Sequence, residues 1–291
     1  MKRINKASIL PNDLLDEVEG RKKKENKIRL QGMMNSLRRL YEEYADKANK
    51  GVLHTLISQW DYDKTMTDSD GYFLYHQYDN SKKSMADLQT KIIEANGGKV
   101  VLRCPICGLR ETSDMDHYAP RQLFPEYSIH AYNLIPICHQ CNNDKSNLWC
   151  ENGHRLIFNA YYDTPTDEPI FDVSVQEENG VLSIKISLKL ISNPKEETRL
   201  ALSTIDKLDL VPFINYKVND MFSKRIDEII RRRKHYKGPF EDFWTMESGA
   251  LSDAVSSIND VNDFDRIVCS TVKDTPLVRT WLIEQDRLCF N

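Results

Sequence analysis

Two Cys-x-x-Cys pairs, Cys104/Cys107 and Cys138/Cys141, constrain this chain more than any other feature. A thiolate pair two residues apart can turn around one metal ion, and two such pairs complete the closed tetrahedral site that zinc prefers. The segment between the pairs is longer than the usual zinc-ribbon spacing, so the ion would clamp the base of a sizeable insertion. Disulfides are the alternative, and they need an oxidising compartment that nothing in the sequence indicates. A structural zinc contributes roughly 10 kcal/mol or more to folding its module, enough to hold a loop-rich segment rigid. Cys150 and His154 follow closely, but four cysteines already close the site.

The enclosed residues carry a second pattern. Asp116-His117 is followed by Pro120, then Asn133 ahead of a short apolar run, then Asn142 directly after Cys141 and Lys145 beyond it. Hydrolysing a phosphodiester needs an activated water, a cation on the phosphate and stabilisation of the leaving oxygen. Histidine is the side chain best poised to take a proton near neutral pH. A hard cation such as Mg²⁺, or Mn²⁺ in its place, takes oxygen ligands and keeps several waters, so a carboxylate plus an amide oxygen suffice. Asp116 and Asn142 supply that pair, His117 the base, and Asn133 a group that can hold the imidazole in one tautomer. Adjacent strand residues point to opposite faces, so Asp116 and His117 can share a site only at a strand end or kink. Pro120 supplies a strand end. Lys145 lies one turn from Asn142 on the same helix face, within reach of a phosphate. Arg121 is a second phosphate contact or a surface ion pair.

Over residues 100–160 this order and spacing resemble the HNH (ββα-metal) endonuclease module, in which a strand ends in Asp-His, a loop leads to Asn, and a helix opens with Asn or His and carries Lys. The resemblance implies His117 as general base, Asn133 as its orienting partner, Asp116 and Asn142 as Mg²⁺ ligands, and zinc on Cys104, Cys107, Cys138 and Cys141. The opening MKRINKASILP, the string DHYAPRQLFPEYSIHAYNLIPICHQCNNDKS and the following FNAYYD are similar to HNH effectors of bacterial anti-phage defence, such as the Septu type. In those systems an ATPase partner senses infection and controls the nuclease. Two other classes fit the same residues. One is a mobile-element or restriction nuclease that recognises DNA itself. The other is a non-catalytic, zinc-stabilised nucleic-acid-binding or adaptor module in which His117 is a satisfied surface residue.

The flanking sequence reads as scaffold. Residues 1–98 form a helical region: Leu30, Met33, Met34, Leu37, Leu40, Tyr41, Tyr44, Ala45 and Ala48 recur at helical spacing until Gly51, and a shorter helix spans about 84–95. Residues 1–27 are polar, and the run Arg21–Lys24 reads as a solvated helix start beside Glu17, Glu19 and Glu25. Residues 61–82 read as a long loop, in which Tyr75, His76 and Tyr78 could stack on bases. A strand at 99–103 enters the first cysteine pair and opens the 99–165 module, whose last helix is expected to run on to about Trp149. Residues 166–194 form a β-hairpin with Asn179-Gly180 as its turn. Residues 195–291 are helical, with one long helix ending in the basic run Arg231–His235, which either caps the helix dipole or meets a DNA backbone. The expected fold is therefore α+β, a ββα-metal module with zinc knuckles between helical regions plus a hairpin.

Forty Lys+Arg against 44 Asp+Glu leave a formal charge of -4, which excludes a strongly basic DNA-coating protein. DNA would be met by local patches or delivered by the partner. No apolar run reaches about 18 residues, so no membrane span is expected. Seven cysteines, an odd number, and the lack of a signal-peptide core indicate a reducing, cytoplasmic setting. No phosphate-binding glycine loop and no Ser-His-Asp arrangement is present. A homo-oligomer stays open.

Overall fold

The computed structural model describes residues 1–98 and 102–290, with backbone alone at 289 and 290. It is α+β, about 53% helix with small antiparallel hairpins, and its chain divides into two compact units, Met1–Pro165 and Thr166–Asn291. The four expected segments thus combine in pairs. The N-terminal helices and the cysteine module build the first unit, the hairpin and the C-terminal helices the second.

In the first unit, α1 (Pro11–Gly20) arises in the stretch expected to be merely polar. Its apolar content is small but concentrated: Leu14, Leu15 and Val18 are all buried, and Pro11 opens the helix where its missing N–H costs nothing. The chain breaks at the basic run, where Arg21 pairs with Glu17 and Asp87 and Lys22 donates to the Asn80 carbonyl. Helix α2 (Lys24–Asn49) buries Leu30, Met33, Leu37, Leu40, Tyr41, Tyr44 and Ala48 of the expected stripe and leaves Met34 and Ala45 at its partly exposed margin. Each buried Leu or Met of that stripe contributes about 1.5–3 kcal/mol by leaving water. The expected 61–82 loop contains α3 (Asp70–Tyr75), whose first turn is capped by Ser69 Oγ accepting from Tyr72 N–H at 3.2 Å. Helix α4 (Lys82–Ala95) follows. Residues 99–101 of the expected 99–103 strand lie outside the described residues, and Arg103 makes an isolated bridge with Glu111.

Strands β1 (Asp114–His117) and β2 (Leu134–Ile137) pair antiparallel, with Asp116 opposite Ile135 and His117 opposite Leu134. Helix α5 (His139–Lys145) follows β2 directly. It stops at Lys145 rather than near Trp149, because Ser146 adopts a positive φ of 44° that cannot continue a helix. A two-residue hairpin, β3 (Cys150–Glu151) with β4 (His154–Arg155), completes the unit.

In the second unit, β5 (Phe171–Glu178) and β6 (Val181–Leu188) form the expected hairpin. Asn179 and Gly180 have φ of 52° and 78°, the signs a type I′ turn requires. Leu182, Ile184 and Ile186 are buried. Helix α6 (Glu196–Lys207) leads to α7 (Leu210–His235), whose Asn215 and Asn219 act on β6 as a neighbouring strand would. The Asn215 amide bonds both the N–H and the carbonyl of Ile186, and the Asn219 amide both groups of Ile184. Helices α8 (Phe240–Ser257), α9 (Phe264–Asp274) and α10 (Pro276–Phe290) follow. The basic end of α7 is partly committed to packing. Arg232 makes two bonds to Glu247 of α8, and Arg233 two to Asp286 of α10. Among the described residues no helix is long and apolar enough to cross a membrane.

Candidate functional site

The four cysteines meet. Cys104 and Cys107 come from a tight turn closed by Gly108 N–H donating to the Cys104 carbonyl at 2.8 Å, with Gly108 at φ 69°, a conformation that costs glycine little. Cys138 precedes α5 and Cys141 lies in its first turn. All four are buried, and their sulfurs lie within 4.8 Å of one another. The Cys107–Cys138 separation of 3.9 Å is close to the ~3.8 Å edge of a tetrahedron with metal–sulfur bonds of about 2.3 Å. Without a cation the thiols oppose one another. Hydrogen bonds from Cys104 and its neighbours hold Cys107 far below the ordinary thiol value and bring Cys138 to about 6, while Cys104 and Cys141 are pushed up. A dication among them would favour all four thiolates together. The group could therefore hold a metal ion such as zinc. Among the described residues it is the one cluster of three or more His, Cys, Asp or Glu ligand atoms so gathered.

Part of the second pattern surrounds an open cavity of about 470 Å³. Asp116, His117, Arg121 and Asn142 line it, together with Asp114, Tyr75 and Tyr78. Strand β1 ends at His117, and Tyr118 N–H already bonds the Asn133 carbonyl at 2.8 Å. That end lets neighbouring side chains turn to one space. Asn133 and Lys145 are absent from the cavity lining.

His117 Nε2 lies 2.8 Å from the Ser128 carbonyl oxygen. A carbonyl only accepts, so Nε2 carries the proton and Nδ1 is left as the acceptor. Burial lowers the His117 pKa to about 3, and the nearby cations Arg121 and Lys145 act the same way. The ring is neutral at physiological pH. The Tyr78 ring makes a T-shaped contact with it, 4.9 Å between centroids.

Asn133, expected to orient this ring, does not touch it. Its amide is fully used elsewhere: Oδ1 accepts from Tyr44 Oη at 3.1 Å and Ala119 N–H at 2.8 Å, and Nδ2 donates to the Ala119 and Tyr127 carbonyls. It holds the loop that carries Ser128, and the Ser128 backbone holds the histidine. Lys145, expected at a phosphate, is 1% exposed, and its ammonium donates to Asp116 Oδ1 at 3.0 Å and to the His117 carbonyl at 2.9 Å. A buried ammonium must be paired, and here it fixes Asp116. Burial raises the Asp116 pKa, and Lys145 opposes that rise.

One residue of the cavity, Asp114, escaped the sequence reading. Asp114 accepts from Asn142 Nδ2 at 3.0 Å and lies 2.9 Å from His139 Nδ1. Burial pushes its carboxyl up, but bonds from Asn142, His139 and Ser113 outweigh this and leave it below the ordinary carboxylate value. The signal was available: in Asp-x-Asp the period-two alternation of a strand puts Asp114 and Asp116 on one face. Arg121 pairs with Asp79 at 2.9 Å and lies over the Tyr75 ring at 4.3 Å.

No family model matches the chain, and no solved structure matches it. Protein ea31 of Escherichia phage lambda is similar, with 22% identity over 173 residues. The match covers 56% of this chain and 57% of the phage protein, so the chain spans little more than half the length of that relative.

Proposed function

We propose that the chain is a metal-dependent HNH endonuclease that hydrolyses DNA phosphodiester bonds. The observation that carries this reading is a neutral imidazole of fixed tautomer opening on the same cavity as Asp116 and Asn142. His117 Nδ1 accepts a proton from water. Lys145 holds the Asp116 carboxyl in place and opposes the rise that burial imposes on its pKa. Asp116 and the free carbonyl oxygen of Asn142, with Asp114 beside them, are the oxygen donors that would hold Mg²⁺ or Mn²⁺. A cation bound there supplies positive charge to the scissile phosphate and to the leaving 3′ oxygen. Arg121 presents its guanidinium at the rim. The four thiolates hold structural zinc and keep α5, and with it Asn142 and Lys145, fixed beside the first cysteine turn.

In this reading the protein is the effector of a bacterial anti-phage system under the control of an ATPase partner. A formal charge of -4 favours delivery to DNA over unaided capture. The similarity to a phage protein favours, as the second reading, a mobile-element nuclease that acts without a partner. Incubating plasmid with the purified protein and Mg²⁺, with and without His117→Ala, tests the assignment. Loss of the base should slow cutting by about 10²–10⁴-fold. Equal cutting by both proteins removes His117 from the mechanism. Silence of both, restored by a co-purifying ATPase, identifies the controlled form; silence that no partner relieves leaves a binding module.

A further inference from the structure

Beside the cavity lies a row of aromatic rings that the hydrolysis itself does not use. Tyr62 stacks on Tyr75 of α3 at 3.9 Å and 17°, and runs nearly parallel to Tyr72 at 6.1 Å and 18°. The Arg121 guanidinium also lies over Tyr75, at 4.3 Å, and over Tyr78 at 5.4 Å. Both distances to Tyr75 are too short for ring and guanidinium to share a face, so Tyr75 is sandwiched. Tyr78 then meets His117. The sequence of groups is continuous, from the half-exposed Tyr62 through Tyr75, Arg121 and Tyr78 to the imidazole.

The arrangement is built rather than incidental. A Cβ added at Gly71 would lie 1.8 Å from the Asp61 carbonyl oxygen and 3.2 Å from Tyr62 N. Only a glycine lets the loop bearing Tyr62 lie this close on α3. A packing cluster would bury its tyrosines, yet Tyr62, Tyr72 and Tyr75 all keep solvent access. A π-face of this kind, next to a guanidinium, is what a nucleobase stacks on. In a duplex both faces of a base are already covered by its neighbours, so only an unpaired base can use it.

We infer that Tyr62, backed by the sandwiched Tyr75, and Tyr72 beside it form a stacking ledge for an unpaired nucleobase, so that the DNA reaching His117 is single-stranded or locally opened. The inference rests on the nuclease reading for its placement beside a reacting phosphate, but the ledge can be tested by binding alone. Fluorescence anisotropy of the full chain carrying His117→Ala, or His117→Gln if the first folds poorly, would compare labelled oligothymidylate, oligouridylate and a blunt duplex of equal length. Oligothymidylate should bind more tightly than the duplex. Adding Tyr62→Ala should weaken it by about five- to a hundredfold, the range for one base–aromatic stack, whereas Tyr62→Trp should retain it. Tighter binding of oligouridylate supports the ledge with RNA as its strand. Preference for the duplex, equal binding by Tyr62→Ala, failure of Tyr62→Trp in an otherwise folded protein, or no binding of any probe overturns the ledge. Cutting by the wild-type chain is read separately. Tyr62-dependent binding without His117-dependent cutting removes the nuclease and keeps the ledge, and unaltered cutting of duplex by Tyr62→Ala does the reverse.

Discussion

His117 shows how a backbone atom fixes a side chain's tautomer. The Ser128 carbonyl assigns the proton to Nε2, and burial keeps the ring neutral. Lys145 is held as firmly, and its burial makes a sharp prediction. Removing one partner of a buried ion pair strands the other, at a cost of about 3–5 kcal/mol. Lys145→Ala should therefore shift the urea midpoint strongly, whereas a lysine resting on phosphate would leave it unmoved. His130 offers a test by pH. It is 0% exposed, packed among Tyr41, Tyr44, Tyr127 and Tyr132, and burial, with Lys6 acting the same way, lowers its pKa to about 3. Folded protein keeps it neutral while unfolded chain takes up a proton below about pH 6.5. Its contribution is complete above about that pH and is lost progressively as pH falls towards 3. Urea midpoints measured across this window should fall less steeply in His130→Phe than in wild type. At this scale the sequence allowed the donors to be named but not their depth. Spacing put Lys145 within reach of a phosphate, and only the packing around Asp116 shows the ammonium turned inward.

Elements with strong periodicity were legible, and short ones were not. The long stripe of α2 and the alternation of β6 around Asn179-Gly180 announce themselves over many residues. Helix α3 has six residues, too few for a period to emerge against its polar surroundings, and its Ser69 cap is the sole local cue. Helix α1 hides in the same way, its buried residues crowded into one turn. Polar residues on a helix can also serve a sheet, and Asn215 and Asn219, one turn apart on α7, cover the edge of β6. Asn219→Ala would leave the Ile184 N–H and carbonyl unmatched, at about 1–3 kcal/mol for each group. Thermal unfolding should register that loss, while Asp220→Ala beside it, whose carboxylate pairs only at the surface with Lys224, should cost under about 1 kcal/mol.

At the scale of the molecule, the division at Pro165 separates the cysteine-bearing unit from the hairpin-bearing one. The composition and the cysteine spacing made the α+β character and the four-thiol cluster legible; that Tyr44, in the N-terminal helices, would reach Asn133 was not, because such contacts depend on distant packing. Structural zinc is worth roughly 10 kcal/mol or more, comparable to the whole stability of a domain at about 5–15 kcal/mol. Chelation, or Cys107→Ser, should therefore unfold the Met1–Pro165 unit and leave the hydrogen-exchange protection of β5, β6 and α7 largely intact. Elemental analysis of the purified chain should find one zinc per molecule. Asn133 extends the same dependence to a single amide. With every donor and acceptor spent on Tyr44, Ala119 and Tyr127, it ties together three stretches of chain, two of which also meet where the Tyr44 and Tyr127 rings pack. An inert Asn133 variant would then be a witness to a sprung scaffold, and its melting curve, ahead of any assay of turnover, would say which had failed.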